Sequence, residues 1–155
     1  MNIKDAMSCF ATGVTVVTTH AHEQDWGLTC SSFNTVSLDP ALVLWSIRRA
    51  SLSHAAFVAA PGYVVNVLAL VQQDLAMRFA SGTQAERFAG LRLAREQGMP
   101  RLPDALAWFA CRTVQLVSAG DHDILIGEVQ DFGWQTGEPL VHAQRRFGRL
   151  APSST

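Results

Sequence analysis

The sequence has no apolar segment long enough to cross a bilayer. Its longest apolar run, Ala41 to Ile47, is far short of the ~20 residues that a membrane-spanning helix needs. Lys4 and Asp5 precede any apolar run, and this pattern is unlike that of a signal peptide. We therefore expect a cytoplasmic protein with no membrane partner.

Charge is also scarce. Only 16% of the residues are charged and the formal net charge is −1. A general nucleic-acid binder normally carries a basic face, so this balance argues against a nucleic-acid partner. Together with the 48% hydrophobic content, the low charge suggests that part of the surface is hidden in an oligomer.

The sequence lacks the usual motifs of metal and dinucleotide sites. Its three cysteines, Cys9, Cys30 and Cys111, have no metal-like spacing, and we interpret them as reduced thiols. His20 and His22 lie near Glu23 and Asp25 but lack a closing ligand at zinc spacing, which favours a solvated turn and no metal site. Glycines are isolated, so a Gly-rich phosphate loop of the Rossmann type is not expected.

The pattern of the chain predicts one domain over residues 1–155, large enough to bury a substantial core. Most predicted strands are joined by short turns rather than crossover helices, which favours an antiparallel β-barrel of the mainly β (α+β) class with short flanking helices. Helices are predicted at 3–11 (stopped by Gly13), 51–60 (capped by Ser51) and 72–80, and strands at 14–19, 27–38, 42–47, 63–68, 107–117 and 124–134.

The most informative segment runs from Gly27 to Pro40 and is rich in small hydroxyl residues with β-strand propensity. Asp39-Pro40 ends it. Each buried hydroxyl needs a hydrogen-bond partner, so such a strand is poor core material. It suits a surface that holds a flat ligand with a polar edge, although an edge strand facing water would show the same pattern.

A second polar segment, Arg48 with Ser51 and Ser53, follows one strand later. Free backbone N–H groups, hydroxyls and a guanidinium where a strand turns into a helix attract anions. The two segments together indicate a phosphorylated cofactor. The alternative is a Ser51 helix cap beside a solvated arginine pair, of which Arg49 is the more solvated.

Several ordered motifs give the chain a family likeness. They are residues 10–18 (FATGVTVVT), the segment 29–40, the strand 63–68 (YVVNVL), Gly120-Asp121-His122, and the tail 139–141 with 146–150 (RFGRL). With these motifs, over roughly residues 8 to 150, the chain resembles the short-chain flavin reductases, whose fold is the FMN-binding split barrel.

The resemblance implies a homodimer that binds FMN or FAD and transfers hydride from NADH or NADPH to the flavin. It also implies a separate monooxygenase component that takes the reduced flavin. Because fold alone does not settle activity, two alternatives stay open: a flavin-binding carrier or sensor without reductase activity, and a barrel that holds haem or another planar ligand.

The resemblance also assigns roles to residues. Thr29, Cys30, Ser31 and Ser32 match the strand at the flavin edge, and Arg48, Ser51 and Ser53 match the phosphate region. His122 matches the nicotinamide-side motif, where it could contact the nicotinamide or its phosphates or assist protonation of the flavin; a plain hairpin tip shaped by Asp121 is the alternative. Arg146 and Phe147 match the tail beside the cofactor or the dimer partner, and Phe79 is placed near the ring or in the core. Trp26 is bulkier than the residue expected before Gly27.

Overall fold

The computed structural model describes residues 2–153. The strands are β1 Thr12–Gly13, β2 Thr15–Ala21, β3 Gln24–Cys30, β4 Asn34–Leu38, β5 Ala41–Arg48, β6 Gly62–Val67, β7 Ala94–Glu96, β8 Met99–Arg101, β9 Ala107–Ala119, β10 His122–Trp134, β11 Val141–Ala143 and β12 Arg146–Gly148. The helices are α1 Ile3–Ser8, α2 His54–Ala59, α3 Gln73–Arg78 and α4 Gln84–Phe88, with a 3₁₀ helix at Leu70–Gln72.

Seven strands form one antiparallel sheet in the order β3-β2-β6-β9-β10-β5-β4. Smaller sheets, β1-β11-β12 and β7-β8, lie outside it. Within the described residues the edge strands β3 and β4 are not paired with each other, so hydrogen bonds do not close the barrel. The expected mainly β, antiparallel fold with short helices is confirmed. None of the helices in residues 2–153 is long and apolar enough to cross a membrane.

The main core is built around Trp45 on β5. Its ring packs edge-to-face against Phe57 of α2 at 4.8 Å and Tyr63 of β6 at 5.8 Å between ring centroids. The Tyr63 hydroxyl donates a 3.0 Å hydrogen bond to the Leu125 carbonyl oxygen, and burial raises the pKa of this phenol. Gly127 leaves room for it, since an added Cβ there would lie 2.4 Å from the hydroxyl oxygen. This cluster fixes β5, β6 and β10, and it therefore positions the polar residues at their ends.

The segment predicted as one strand over 27–38 is two strands, β3 and β4, separated at residues 31–33. The single-strand prediction was wrong because, at residues 31–33, hydrogen bonds of the Ser32 side chain take the place of backbone hydrogen bonds between neighbouring strands. The Ser32 hydroxyl accepts from the Ser46 N–H at 2.9 Å and lies 3.2 Å from the Ser46 carbonyl oxygen, to which it donates. The hydroxyl thereby joins the segment between β3 and β4 to β5, and the chain changes direction between Cys30 and Asn34.

Two helix boundaries also differ from expectation. Helix α1 ends at Ser8 rather than near Gly13, which lies in β1. The apolar residues Ile3 and Met7 of α1, and Phe10 just after it, are 69%, 66% and 80% exposed. Helix α2 begins after Ser53 rather than Ser51. Its first N–H groups are served by the turn before it, where the Ser51 hydroxyl accepts from the Ser53 N–H at 3.2 Å.

Strands β9 and β10 form the expected long hairpin, with a tight turn at Gly120-Asp121. Gly120 has a φ of 61°, which suits glycine because it lacks a Cβ. Strand β10 also pairs with β5, and in this register His122 lies opposite Arg48. Two segments far apart in sequence are therefore brought side by side at one end of the sheet.

Candidate functional site

Three adjoining cavities open around the carboxyl end of β3, and all three include Thr29. The central cavity has a volume of about 300 Å³ and is lined by Leu28, Thr29, Cys30, Ser31, Ser32, Ser46, Ile47, Arg48, Ser51 and His122. Seven of the predicted site residues line it, from β3, β5, β10 and the two segments that follow β3 and β5. The sheet register is the reason, because it places the ends of these strands at one edge.

The other two cavities each share lining residues with this one. The wide cavity, of about 840 Å³, is lined by Trp26, Leu28, Thr29, Arg48, Ser51, Leu52, Ser53, Phe79, Ala80, Gly82, Thr83, Gln84 and Arg87. The tail cavity, of about 400 Å³, is lined by Val14, Thr29, Cys30, Ser31, Ala76, Met77, Ala80, Ser81, His142 and Phe147. Together they offer space for a ligand much longer than one ring system.

The hydroxyl groups at the end of β3 differ in what they are free to bind. Thr29 donates to the Ala76 carbonyl oxygen at 2.5 Å, and the Ser32 hydroxyl is held by Ser46. The buried Cys30 thiol lies 3.0 Å from the Ser32 hydroxyl. Among residues 2–153 no hydrogen bond involves the Ser31 hydroxyl, and Ser31 is exposed between the central and tail cavities. Ser31 is therefore the side chain of this group that is most available to a ligand.

Arg48 is a cation at the junction of the central and wide cavities. It is the last residue of β5, it is exposed, and it lines both spaces. Within the described chain its guanidinium donates no hydrogen bond. A planar guanidinium with free donors binds phosphate oxygens well. The location and the free donors fit an anionic group at this junction.

Ser51 and Ser53 lie beside Arg48 but differ in exposure. Ser51 is half-buried and lines both the central and the wide cavity. Ser53 is 3% exposed, and its hydroxyl accepts from the Gln84 side-chain amide at 3.1 Å. The Ser51 hydroxyl is thus the more accessible one, whereas the Ser53 hydroxyl holds α4 against the start of α2.

His122 borders the central cavity from the side of β10. Its Nδ1 lies 2.7 Å from a carboxylate oxygen of Asp121. Since a carboxylate accepts, Nδ1 carries the proton in this pair, and Nε2 has no hydrogen bond within the described chain. The hydrogen bond from His122 lowers the pKa of Asp121. Asp121 therefore shapes the turn and also orients the imidazole.

The aromatic and tail residues are spread around the site. Phe79 is fully buried, packs edge-to-face on Phe88 at 5.0 Å, and walls the wide cavity close to Gly27. Phe147 lines the tail cavity, with its ring 5.2 Å from that of His142. Arg146 is exposed and lines none of the three cavities. The structure thus gathers Phe79 and Phe147 with the other predicted residues and leaves Arg146 outside.

Comparison with protein-family models gives a match to the flavin reductase like domain over residues 7–151. The chain belongs to the flavin reductase family. It is 39% identical over 150 residues to the FMN reductase (NADH) SmoA of Agrobacterium fabrum, a match that covers 97% of this chain and 86% of that protein. The split-barrel expectation is confirmed, since solved flavin reductases share this fold.

Two further relatives connect the family to reduced-flavin chemistry. This chain is 45% identical over 155 residues to the reductase component of the flavin-dependent trigonelline monooxygenase of Acinetobacter baylyi. The match covers 99% of this chain but only 50% of that protein. The solved NADH:FAD oxidoreductase SgcE6 of Streptomyces globisporus, in complex with NAD and FAD fragments, superimposes with a TM-score of 0.92 at 33% identity, covering 99% of this chain and 93% of that one.

Sequence reasoning missed residues that hold the walls of these cavities together. Gln84 joins β3 to α2, because its side-chain oxygen accepts from the Gly27 N–H at 2.9 Å while its amide donates to Ser53. Arg87 donates to the Gly27 carbonyl oxygen at 2.7 Å, and burial lowers the pKa of its guanidinium. Both residues lie on α4, and neither belongs to a motif that the sequence analysis singled out.

Arg49 was expected to be the solvated arginine, and this was wrong. Its Nε and Nη2 both donate to the same carboxylate oxygen of Asp123, at 3.2 Å each. Its Nη1 donates to the Gly120 carbonyl oxygen at 2.7 Å. His54 lies 2.7 Å from the other oxygen of Asp123. A signal existed: Asp123 precedes Leu125 and Gly127 on the buried face of β10, where a carboxylate requires partners.

The cluster predicted as a solvated turn, His20 to Asp25, is a hairpin tip in the structure. His20 Nδ1 lies 2.7 Å from Asp25, and both terminal nitrogens of Arg95 donate to the same carboxylate at 2.7 Å. No group of three or more histidine, cysteine or acidic side chains with metal-binding geometry occurs in the part of the chain that is described.

Proposed function

We propose that this chain is an NAD(P)H-dependent flavin reductase that passes reduced FMN or FAD to a separate monooxygenase component. The observation that carries the proposal is the free guanidinium of Arg48 at the junction of two cavities, with His122 opposite it on the neighbouring strand. SmoA and SgcE6 are NADH-dependent flavin reductases by name, and the trigonelline relative is a reductase component. These parallels support both the reaction and the partner.

The residues of the site fit a flavin nucleotide. The central cavity offers Ser31 and main-chain groups to the polar edge of an isoalloxazine ring, and Arg48 with Ser51 offers cationic and hydroxyl donors to its phosphate. Beyond Arg48 the wide cavity has room for the adenylate half of FAD. We therefore propose that both FMN and FAD are accepted, with the ring in the central cavity and the phosphate at Arg48.

The chemistry comes from the two cofactors, since reduced nicotinamide gives a hydride to flavin and no protein nucleophile is needed. The protein binds and aligns the rings. The tail cavity, with the half-buried Phe147 and His142 rings, is the apolar space next to Ser31 in which the nicotinamide would lie. His122, held by Asp121, has a free Nε2 at the edge of the central cavity that can donate or accept a proton.

We further propose that the protein is a homodimer in the cytoplasm. Large apolar side chains are exposed on the single chain, among them Leu38 at 97%, Trp134 at 75% and Phe132 at 62%. Exposed apolar surface of this kind is typical of an interface. Light scattering after size-exclusion chromatography should give twice the mass of the chain; a single-chain mass at micromolar concentration would rule the dimer out.

The decisive experiment is the oxidation of NADH and NADPH, followed by absorbance, with FMN, FAD or riboflavin titrated in. We expect saturable turnover that depends on the added flavin. If flavin quenches the protein fluorescence while turnover stays at background with every pair, the protein is a flavin carrier and the reductase proposal fails. An absorbance spectrum of the purified protein tests for haem in the same sample.

A further inference from the structure

Asp123 is a buried carboxylate immediately after His122 on β10, and only 6% of its surface is exposed. One carboxylate oxygen accepts two hydrogen bonds from Arg49, from Nε and from Nη2, each at 3.2 Å. The other oxygen lies 2.7 Å from His54 Nε2. A buried carboxylate is tolerated when charged donors satisfy it, and here both oxygens are satisfied by the same short segment of chain.

The two partners lie at the two ends of the segment that carries the proposed phosphate contacts. Arg49 directly follows Arg48, and His54 directly follows Ser53. Between them the chain forms a tight turn, in which the Ser51 N–H donates to the Arg48 carbonyl oxygen at 3.0 Å and the His54 N–H to the Ser51 carbonyl oxygen at 3.1 Å. One side chain from another strand thus fixes both ends of the turn.

Arg49 also binds the hairpin tip that presents His122. Its Nη1 donates to the Gly120 carbonyl oxygen at 2.7 Å, its Nη2 donates to the Ser118 hydroxyl, and its main-chain N–H donates to the Asp121 carbonyl oxygen at 3.0 Å. The Asp123 cluster, defined as Asp123 with Arg49 and His54, therefore connects the segment with the proposed phosphate contacts to the hairpin tip that carries His122. None of its three members lines the central, wide or tail cavity.

We propose that Asp123 is a positioning residue of the reductase: by holding Arg49 and His54 it sets Arg48 and Ser51 at the place where the flavin phosphate binds. The proposal rests on the reductase function and on the phosphate site at Arg48. The physical reason is that a charge-assisted hydrogen bond depends on geometry, so a segment displaced by a fraction of an ångström loses much of it. Asp123 acts on the phosphate through Arg48 and touches no ligand itself.

The test compares two flavins that differ by one phosphate group. Riboflavin has the ring and the ribityl chain but no phosphate, whereas FMN has all three. In Asp123→Asn, which keeps the shape of the side chain and removes its charge, the KM and the Kd for FMN should rise about tenfold. The KM for riboflavin should stay within about twofold, because riboflavin has no phosphate to contact Arg48 or Ser51.

Asp25 provides a matched control on the remote β2–β3 hairpin. It too is a carboxylate held by one histidine, His20 at 2.7 Å, and by two terminal nitrogens of one arginine, Arg95, at 2.7 Å each. Asp25→Asn should leave the ratio of the FMN and riboflavin KM values unchanged. A change of the same size in this variant would show that loss of any such ion cluster has the effect, and it would overturn the proposal.

A double-mutant cycle with Arg48→Ala tests whether Asp123 acts through Arg48. If it does, Asp123→Asn adds nothing to the FMN defect of Arg48→Ala, since residues that act as one unit are not additive. Independent, multiplicative defects would contradict the proposal. Should Asp123→Asn fail to fold, Arg49→Lys is the second variant, because it keeps the charge and loses the planar fork that binds Asp123; it should show the same selective FMN defect.

The outcome separates this inference from the proposed function. If the unchanged protein shows no flavin-dependent turnover, the reductase function itself is wrong. If the unchanged protein is active and Asp123→Asn only lowers the unfolding temperature, with FMN and riboflavin affected alike, the function stands and Asp123 is merely structural.

Discussion

Arg48 and His122 are directly opposite each other on the antiparallel strands β5 and β10, although 74 positions apart in numbering. Antiparallel partners point to the same face of a sheet, and both side chains line the central cavity. The register thus places a free guanidinium and an oriented imidazole on one wall. This pairing places the proposed phosphate contact and a histidine with a free Nε2 beside the same cavity.

His122→Ala should lower turnover with NADH at saturating flavin while flavin binding persists. General acid–base contributions are typically about 100-fold or more, and a role limited to binding nicotinamide would appear in its KM instead. Steady-state kinetics with both substrates varied, together with fluorescence titration of FMN, makes the distinction. His20→Ala on the remote hairpin is the control. Unchanged kinetics in His122→Ala would mean that His122 has neither an acid–base role nor a role in binding nicotinamide.

The acid stability of the protein should depend on Asp123. The groups that contact its carboxylate are Arg49 from the segment after β5 and His54 from α2. The hydrogen bond with His54, and then the contacts with Arg49, lower the pKa of Asp123 below its usual 3.8. In the unfolded chain the carboxyl regains that usual value, so the unfolded state takes up the proton first as the pH falls.

It follows that the stabilisation from Asp123 is fully present above about pH 5 and is lost as the pH falls through 3.8 toward the lower pKa of the folded state. Urea unfolding of the protein and of Asp123→Asn over this range is the measurement. The difference in unfolding free energy should be largest near neutrality and should shrink in acid. A difference that grew as the pH fell would contradict the sign of the shift.

Much of the fold follows from local sequence pattern. The apolar run in β5, the β-branched run in β2 and the Gly-Asp turn between β9 and β10 are signals that depend only on neighbours in the chain. The structure places two strands and a turn at these positions. The break at residues 31–33 could not be predicted, since it depends on the Ser32 hydroxyl reaching Ser46 in a different strand. The exposure of the apolar residues of α1 could not be predicted either, because helical spacing of apolar residues does not show whether another segment packs against them.

The site was predictable to the extent that its residues come from polar segments of unusual composition. The end of β3, the Arg48 to Ser53 segment and the tip at His122 all contribute to the central or wide cavity. The supporting contacts were not predictable. Arg49 and His54 meet Asp123 across 74 and 69 positions, and only the register of β5 against β10 brings them together.

Gly62→Ala should destabilise the fold strongly. An added Cβ at this position would lie 2.1 Å from the Cys111 carbonyl oxygen, and that oxygen belongs to the neighbouring strand β9, so the two backbones would have to separate. Overpacking against backbone in a buried sheet costs about 3 kcal/mol or more. Gly148→Ala is the control, because nothing lies within 4 Å of an added Cβ there. Thermal and urea unfolding of both variants measures the contrast; equal midpoints would show that β6 and β9 can move apart at little cost.

Trp26 should influence the choice between FAD and FMN. Its indole N–H donates to the Ala21 carbonyl oxygen at 2.9 Å, which fixes the ring at the wall of the wide cavity, and Leu52, 95% exposed, lines the same space. If the adenylate half of FAD occupies this cavity, these two side chains are its apolar contacts. Since aromatic contacts contribute about 0.5–1.5 kcal/mol beyond burial, Trp26→Ala should weaken FAD binding several-fold.

FMN ends at the phosphate and has no adenylate, so its Kd should not change in Trp26→Ala. Trp108→Ala is the matched control, because Trp108 is half-buried like Trp26 and lines a different cavity, beside Arg101 and Trp134. Fluorescence-quenching titrations of FMN and FAD with the unchanged protein and the two variants give the measurement. For each variant they yield the change in Kd for FMN and the change in Kd for FAD. A parallel loss of FMN and FAD binding in Trp26→Ala would place the ring system, rather than the adenylate, against Trp26, and it would reverse the proposed orientation of the flavin in the two cavities.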